Sequence, residues 1–135
     1  MRLLLWYCSR FGWKPVKKTL ENAADAEPGQ VQDAVVAFIH VEPEDEERAG
    51  KVETKLVKNL KWAAGKWETK TLVLHSFTHL GEEKAGEDFS RGLFDRARTR
   101  LEQTGYNVVE TPYGYFNDLD LAAPGHPLAR VFKQL

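Results

Sequence analysis

Apolar residues in this chain alternate between short continuous runs and two helical stripes. The run from Arg2 to Tyr7 is apolar after its first residue and carries bulky side chains, which suits a buried strand better than a helix of useful length. Gly12 and Pro15 then predict a hairpin or bend into a second, twisted strand ending near Thr19. Residues 21–32, with Pro28 and Gly29 in adjacent positions, read as a loop. Asp33 to Val41, rich in Val, Ile and Phe, is the clearest strand. Pro43 ends it and suits the first turn of a helix, where Glu44, Asp45, Glu46 and Glu47 complement the positive end of the dipole. That helix is expected to run to about Trp67. Its core stripe is Val52, Leu56, Ala63 and Trp67, with Lys51, Lys55, Lys58, Trp62 and Lys66 on another face.

Thr71 to Phe77 is the next buried strand. A second helix is expected over Glu87 to Thr104, with Phe89, Leu93, Ala97 and Leu101 inward and Gly105 capping its C-terminus. Tyr106 to Glu110 and Tyr113 to Leu121 complete the strands. The order is strand, strand, strand, helix, strand, helix, strand, strand. It predicts an α/β domain of two layers, in which both helices cover one face of a single mixed sheet.

Composition narrows the class. With 135 residues, 42% of them hydrophobic and 29% charged, the chain fits one globular domain spanning residues 1–135 with a real core. The formal net charge of -1 means that any contact with nucleic acid must use local basic patches. Charge is in fact uneven. The first eighteen residues hold Arg2, Arg10, Lys14, Lys17 and Lys18 with no acid, whereas Glu42 to Glu47 is almost continuously acidic.

A lone cysteine, Cys8, excludes an intramolecular disulfide and a cysteine-based zinc site, and makes a cytoplasmic location the expectation. The apolar start is shorter than a secretory core, lacks a small-residue cleavage site, and is too short to span a membrane. The histidine spacings form no pair of metal ligands on one element, and no cofactor is expected.

Several residues carry possible chemistry. His79 follows the buried run Leu72 to Phe77 just past a strand end, where open α/β sheets present functional groups. Position alone leaves two readings, a loop-bracing side chain or a group that exchanges protons and hydrogen bonds near neutrality. Along Tyr113 to Leu121, Tyr115, Asn117 and Leu119 share one face, with Phe116, Asp118 and Asp120 on the other. Its aromatics fit either a core or a platform for base stacking, which contributes about 1–3 kcal/mol per base. His126 lies between turn-fixing residues and reads as a brace for the chain end. The lysines of the first helix and Arg91, Arg96, Arg98 and Arg100 read as solvated surface.

Three segments together resemble a known family. Tyr113 to Arg130 runs Tyr-Gly-Tyr-Phe-Asn-Asp-Leu-Asp-Leu-Ala-Ala-Pro-Gly-His-Pro-Leu-Ala-Arg. With Ala34 to Glu42 (Ala-Val-Val-Ala-Phe-Ile-His-Val-Glu) and Ser76 to Leu80 (Ser-Phe-Thr-His-Leu), it is similar to the amino-terminal editing domain of archaeal threonyl-tRNA synthetases. The resemblance implies a D-aminoacyl-tRNA deacylase-like fold and a deacylase that removes serine from threonine tRNA. It implies that the 3′ aminoacyl-adenosine of tRNA is the ligand, a threonyl-tRNA synthetase in trans a partner, and a homodimer the assembly. Four tryptophans are more than so small a core readily holds, which also points to a dimer, with at least one of them, Trp13, expected at a subunit contact.

The resemblance also implies roles. His79 matches the family's Phe-Ala-His-Leu histidine in the editing pocket. Val41, Glu42, Ser76, Phe77 and Thr78 would frame the amino acid, and Tyr113, Tyr115 and Phe116 the adenosine. Where the family has a lysine that helps position water, this chain has Asn117. Where it has a glutamate after Leu-Ala, this chain has Arg130, and Ser9-Arg10 replaces an acidic turn. Asparagine can hold a water but supplies no charge, and arginine can pair with phosphate but is no general base. His40, His75 and Thr78 surround the matching segments. The rival reading, from a different class, is a non-catalytic binding module that keeps the pocket without the chemistry.

Overall fold

A computed structural model describes residues 1–135. Six strands form one mixed sheet: β1 (Arg2–Lys18), β2 (Gly29–His40), β3 (Thr71–Ser76), β4 (Asn107–Glu110), β5 (Tyr115–Ala122) and β6 (Arg130–Gln134). The order across the sheet is β4-β3-β2-β1-β5, with β6 also paired to β1. β6 lies along the first half of β1 and β5 along the second half. Two helices, α1 (Ala49–Lys66) and α2 (Glu87–Gln103), complete the fold.

β2, β3 and β4 are parallel and neighbours in chain order, linked through α1 and α2. Two right-handed crossovers stepping in the same direction put both helices on one face, as the two-layer expectation requires. The larger core lies there. Leu3, Leu5, Ile39, Leu72 and Leu74 of the sheet meet Val52, Leu56 and Leu60 of α1 and Leu93, Ala97 and Leu101 of α2. Each fully buried Leu or Ile contributes about 1.5–3 kcal/mol.

The other face carries no helix, yet holds a second cluster of Cys8, Phe11, Val36, Phe38 and Val73, flanked by Trp6, Trp13 and Phe77. Cys8 and Phe11 are three positions apart, so strict alternation would put them on opposite faces. The reset falls where the β1–β2 pairing skips Ser9 and Asp33, and Asp33 has φ +50°. Beyond it, Phe11, Trp13 and Pro15 pair with Leu121, Leu119 and Asn117 of β5.

Three expectations need correction. Gly12 and Pro15 make no hairpin, because β1 runs unbroken to Lys18. Pro15 sits past the end of β2 and next to a register shift at Val16, where a missing N–H breaks no ladder bond to β2. The helix expected from Pro43 is two pieces, a 3-10 turn (Pro43–Arg48) and then α1, with Arg48 at φ -137° and ψ 37° between them. The acids therefore cap the short turn: Glu42 and Asp45 form a reciprocal capping box there. Finally, β6 was not anticipated, and residues 29–32, read as loop, begin β2. At the end of α2, Gly105 takes φ +92° and donates to Glu102 O, as its capping position predicts.

Candidate functional site

A cleft of about 550 Å³ opens at the carboxyl ends of β2 and β3, where the first turn of α2, with Glu87 and Ser90, contributes to its wall. Its walls come from distant parts of the sheet. Lys17 to Leu20 at the far end of β1 face Val41, Ser76 and His79 at the carboxyl ends of β2 and β3. β1 and β2 are antiparallel, and Trp13 opposes Gly29, not His40. In a flat strand, twelve residues would separate those ends by about 40 Å. The curl of β1 beyond Cys8, carrying β5 with it, folds one end of the sheet over the other.

Buried histidines hold the β3 side. His40 is fully buried at the end of β2; its Nδ1 accepts from the Leu80 N–H at 3.0 Å and its Nε2 bonds the Glu83 carbonyl at 2.7 Å. An amide donor on one nitrogen and a carbonyl acceptor on the other define the neutral Nε2–H tautomer. Arg2 Nη1 donates to the Leu80 carbonyl at 2.8 Å. The Phe77 and Ala85 N–H groups donate to Ile39 and Val41 carbonyls. The segment carrying Thr78 and His79 is thus fixed at both ends and in its middle.

His79 is exposed and packs edge-on against Phe77, with ring centroids 5.1 Å apart. His75, also in the lining, packs on Phe38 at 4.8 Å, and burial drives its pKa down to about 4. It is therefore a neutral imidazole at physiological pH.

Opposite, Gly114 has φ +83° and accepts from the Thr19 N–H at 2.8 Å. A side chain there would meet Ala23 Cβ at 3.1 Å, so this turn needs glycine. Tyr115 Oη donates to the Ala24 carbonyl at 2.7 Å, tying the β1–β2 loop to β5. Tyr113 is half-buried, edge-on to Phe94, with Arg91 over its ring at 5.4 Å. Burial raises its pKa, against the opposing effect of hydrogen bonds to Ser90 and Ser76. Phe116 stands 56% exposed at the cleft edge. Asn117 Nδ2 contacts the Tyr115 carbonyl at 3.5 Å, whereas its buried Oδ1 has no partner. An unsatisfied buried acceptor in a cleft wall is disposed to take a hydrogen bond from a water or ligand N–H.

Of the residues singled out from the sequence, Val41, Ser76, Phe77, Thr78, His79, Tyr113, Tyr115, Phe116 and Asn117 line this cleft. Glu42 and Arg130 do not. Glu42 pairs with Arg2 Nε at 3.3 Å and with the Met1 amine at 3.1 Å, beside buried Asp45. Arg130 starts β6, lies over the Trp6 ring at 5.6 Å and donates to the Pro124 carbonyl. His126 accepts from the Leu128 N–H and packs edge-on to Trp67, which in turn stacks on Tyr7 at 4.0 Å. Sequence reasoning missed Lys17, Lys18 and Lys84 as lining residues. The one available signal was the acid-free start of the chain. No group of three His, Cys, Asp or Glu side chains is placed to hold a metal ion, and no helix is long and apolar enough to cross a membrane.

Residues 1–135 match the family model described as the Archaea-specific editing domain of threonyl-tRNA synthetase. Among curated relatives, the threonine–tRNA ligase of Cenarchaeum symbiosum is 34% identical over 98% of this chain, and that of Methanopyrus kandleri 30% over 98%. The Thermococcus onnurineus ligase is 27% identical over the whole chain. The chain spans about a fifth of their length: 21%, 22% and 22%. A solved structure titled c-Myc DNA Unwinding Element Binding Protein superposes with TM-score 0.64 at 9% identity, covering 100% of this chain and 99% of that one. That likeness concerns the fold, and agrees with the D-aminoacyl-tRNA deacylase-like architecture expected from the sequence.

Proposed function

The chain belongs to the Archaea-specific editing domains of threonyl-tRNA synthetase, and on that premise we propose that it hydrolyses the ester joining a wrongly attached amino acid, serine, to the terminal adenosine of threonine tRNA. In this reading the backbone of Val41 and Ser76 to His79 frames the amino acid, while Tyr113, Tyr115 and Phe116 hold the adenosine. Glu42, outside the cleft, contributes by holding Arg2 beside Leu80. Water attacks the ester carbonyl carbon, the tetrahedral oxyanion collapses, and the ribose oxygen leaves with a proton. Positioning supplies several kcal/mol of such a barrier if water, carbonyl and neighbouring hydroxyl are held in line.

The observation that carries the proposal is Asn117 Oδ1, buried and unpartnered in the wall of the cleft that His79 also lines. A change of side-chain rotamer that turns Oδ1 into the cleft lets it accept from the attacking water, and the His79 imidazole, in the same lining, offers a second hydrogen-bonding group. A deacylation assay against a panel of mischarged tRNAs tests this: release of serine from threonine tRNA is expected, and stable esters throughout the panel would refute it.

One observation favours a second reading, a binding module without chemistry. Glu87, the single carboxylate in the lining, is engaged by Arg91 at 3.2 Å, and Arg130 is elsewhere. A cleft without a free carboxylate can bind aminoacyl-adenosine without activating water. In both readings the chain works in the cytoplasm on tRNA, alongside a threonyl-tRNA synthetase. A second copy of the chain would cover the helix-free face near β6, where Phe132 is 53% exposed beside half-buried Leu4 and Trp6.

A further inference from the structure

Charge pairing in this protein is divided by residue type. Every ion pair takes its cation from an arginine or from the Met1 amine, and no lysine has a carboxylate partner. Three of these unpaired lysines, Lys17, Lys18 and Lys84, line the 550 Å³ cleft. Lys17 and Lys18 come from the curled end of β1, and Lys84 from the segment between β3 and α2, so the cations approach from opposite walls. The acid among the lining residues, Glu87, is already neutralised by Arg91. Eight further lysines are unpaired elsewhere, five of them on α1, but Lys17, Lys18 and Lys84 are the ones that meet around a concave opening with no free carboxylate to offset them.

The same opening offers a stacking surface. Lys17 and Lys18 oppose Phe116 and Tyr115 directly across the β1–β5 ladder, so a cation stands one strand away from an exposed aromatic ring. Alternating cations and aromatics suit single-stranded nucleic acid, whose phosphates and bases alternate along the chain. An amino acid and one ribose require no such charge.

We propose that Lys17, Lys18 and Lys84 form a phosphodiester clamp for the unpaired nucleotides just 5′ of the terminal adenosine. The clamp rests on the editing reading for its choice of ligand. It holds the RNA end across the cleft mouth while the aminoacyl group lies deeper, between His79 and Asn117. Affinity for the RNA end comes from counterion release, and is therefore steeply salt-dependent.

The test uses two probes: an RNA hexamer ending in CCA, and an amide-linked seryl-adenosine that carries no phosphate. Binding of each is measured by titration at several salt concentrations for three proteins. They are the wild type, the variant Lys17→Ala/Lys18→Ala/Lys84→Ala, and a control, Lys51→Ala/Lys58→Ala/Lys66→Ala, which removes exposed lysines of α1. The clamp predicts at least tenfold weaker hexamer binding for the cleft variant and a salt slope shallower by about two, from about 0.7 per phosphate contact on a single strand. Seryl-adenosine binding should be unchanged, and the control should match the wild type. Equal hexamer affinity in cleft variant and wild type overturns the clamp, as does an equal loss in the control. Loss of seryl-adenosine binding alongside the hexamer also overturns it, placing these lysines in the aminoacyl pocket instead. A wild type that binds the hexamer with this lysine dependence but not seryl-adenosine keeps the clamp and refutes the editing assignment. A wild type that binds neither refutes both.

Discussion

His75 and Thr111 are joined in the interior by a 2.8 Å hydrogen bond between Nδ1 and Oγ1, linking the end of β3 to the segment that leaves β4. Burial lowers the histidine's pKa from 6.5 to about 4. Its neutral form is stabilised by folding, so the unfolded chain binds the proton first as pH falls. Stability is expected to be fully present above pH 6.5 and to decline toward pH 4, by about 3 kcal/mol from this group.

Other groups act around that window. Burial raises Glu53, but hydrogen bonds from Arg96 and Arg100 outweigh it and lower the pKa, so its contribution is lost only below 4.5. Glu110 is raised by burial and works in the opposite direction to His75. The site-resolved measurement is therefore the His75 imidazole shift by NMR. Titration near 6.5 in the folded protein would contradict the buried, neutral assignment. Thr111→Val should leave Nδ1 unpaired and cost about 1–3 kcal/mol in urea denaturation.

His79 makes a separable prediction because it is exposed. His79→Ala should change stability by no more than about 0.5 kcal/mol, while binding of seryl-adenosine or turnover weakens. A crystal soak or chemical-shift map placing the ligand away from His79, Tyr115 and Asn117 would end the assignment.

How much of this was legible in the sequence depends on the range of the interactions involved. α2 and β3 were readable because a helical stripe and a short buried run report local packing. The 3-10 turn before α1 was not, since Glu42 and Asp45 cap each other through a geometry that the run of acids only hints at. β6 escaped because Arg130–Gln134 is five residues long with only partial burial, and owes its strand conformation to pairing with β1. His79 and Asn117 were identifiable from motif and position. Lys17, Lys18 and Lys84 were not, because the curl that brings them to Val41 follows from a reset in alternation at Ser9 and Asp33 that no local pattern announces.

A homodimer is expected in solution. Phe132, Leu4 and Trp6 present a partly exposed apolar strip on the face without helices, and a symmetric pairing would bury it. Trp13 lies on the same face, half-buried, with Gly29 beneath its indole. Light scattering at tens of micromolar should give twice the chain mass, and Trp13→Ala should shift the balance toward monomer. A monomer mass for the wild type counts against the assembly.

Asn117 and Arg130 separate the enzyme from the binding module. If Asn117 is a weakened substitute for a water-positioning cation, Asn117→Lys with Arg130→Glu should raise hydrolysis of seryl-tRNA for threonine, since the pair supplies a cation and an acceptor at the altered positions. Asn117 lines the cleft, whereas Arg130 lies over Trp6 outside it, so most of the gain should come from position 117 unless a second copy brings residue 130 to the site. Neighbouring site residues couple, and separated ones add, so the four-member cycle of wild type, two single variants and the double reports which holds. If the cleft is instead retuned around His75, His79 and Asn117 for another ester, the wild type should already deacylate some aminoacyl-tRNA, and Asn117→Lys should abolish that activity. Intact esters for all four proteins, together with wild-type binding of aminoacyl-adenosine, would leave the binding module as the function of this chain.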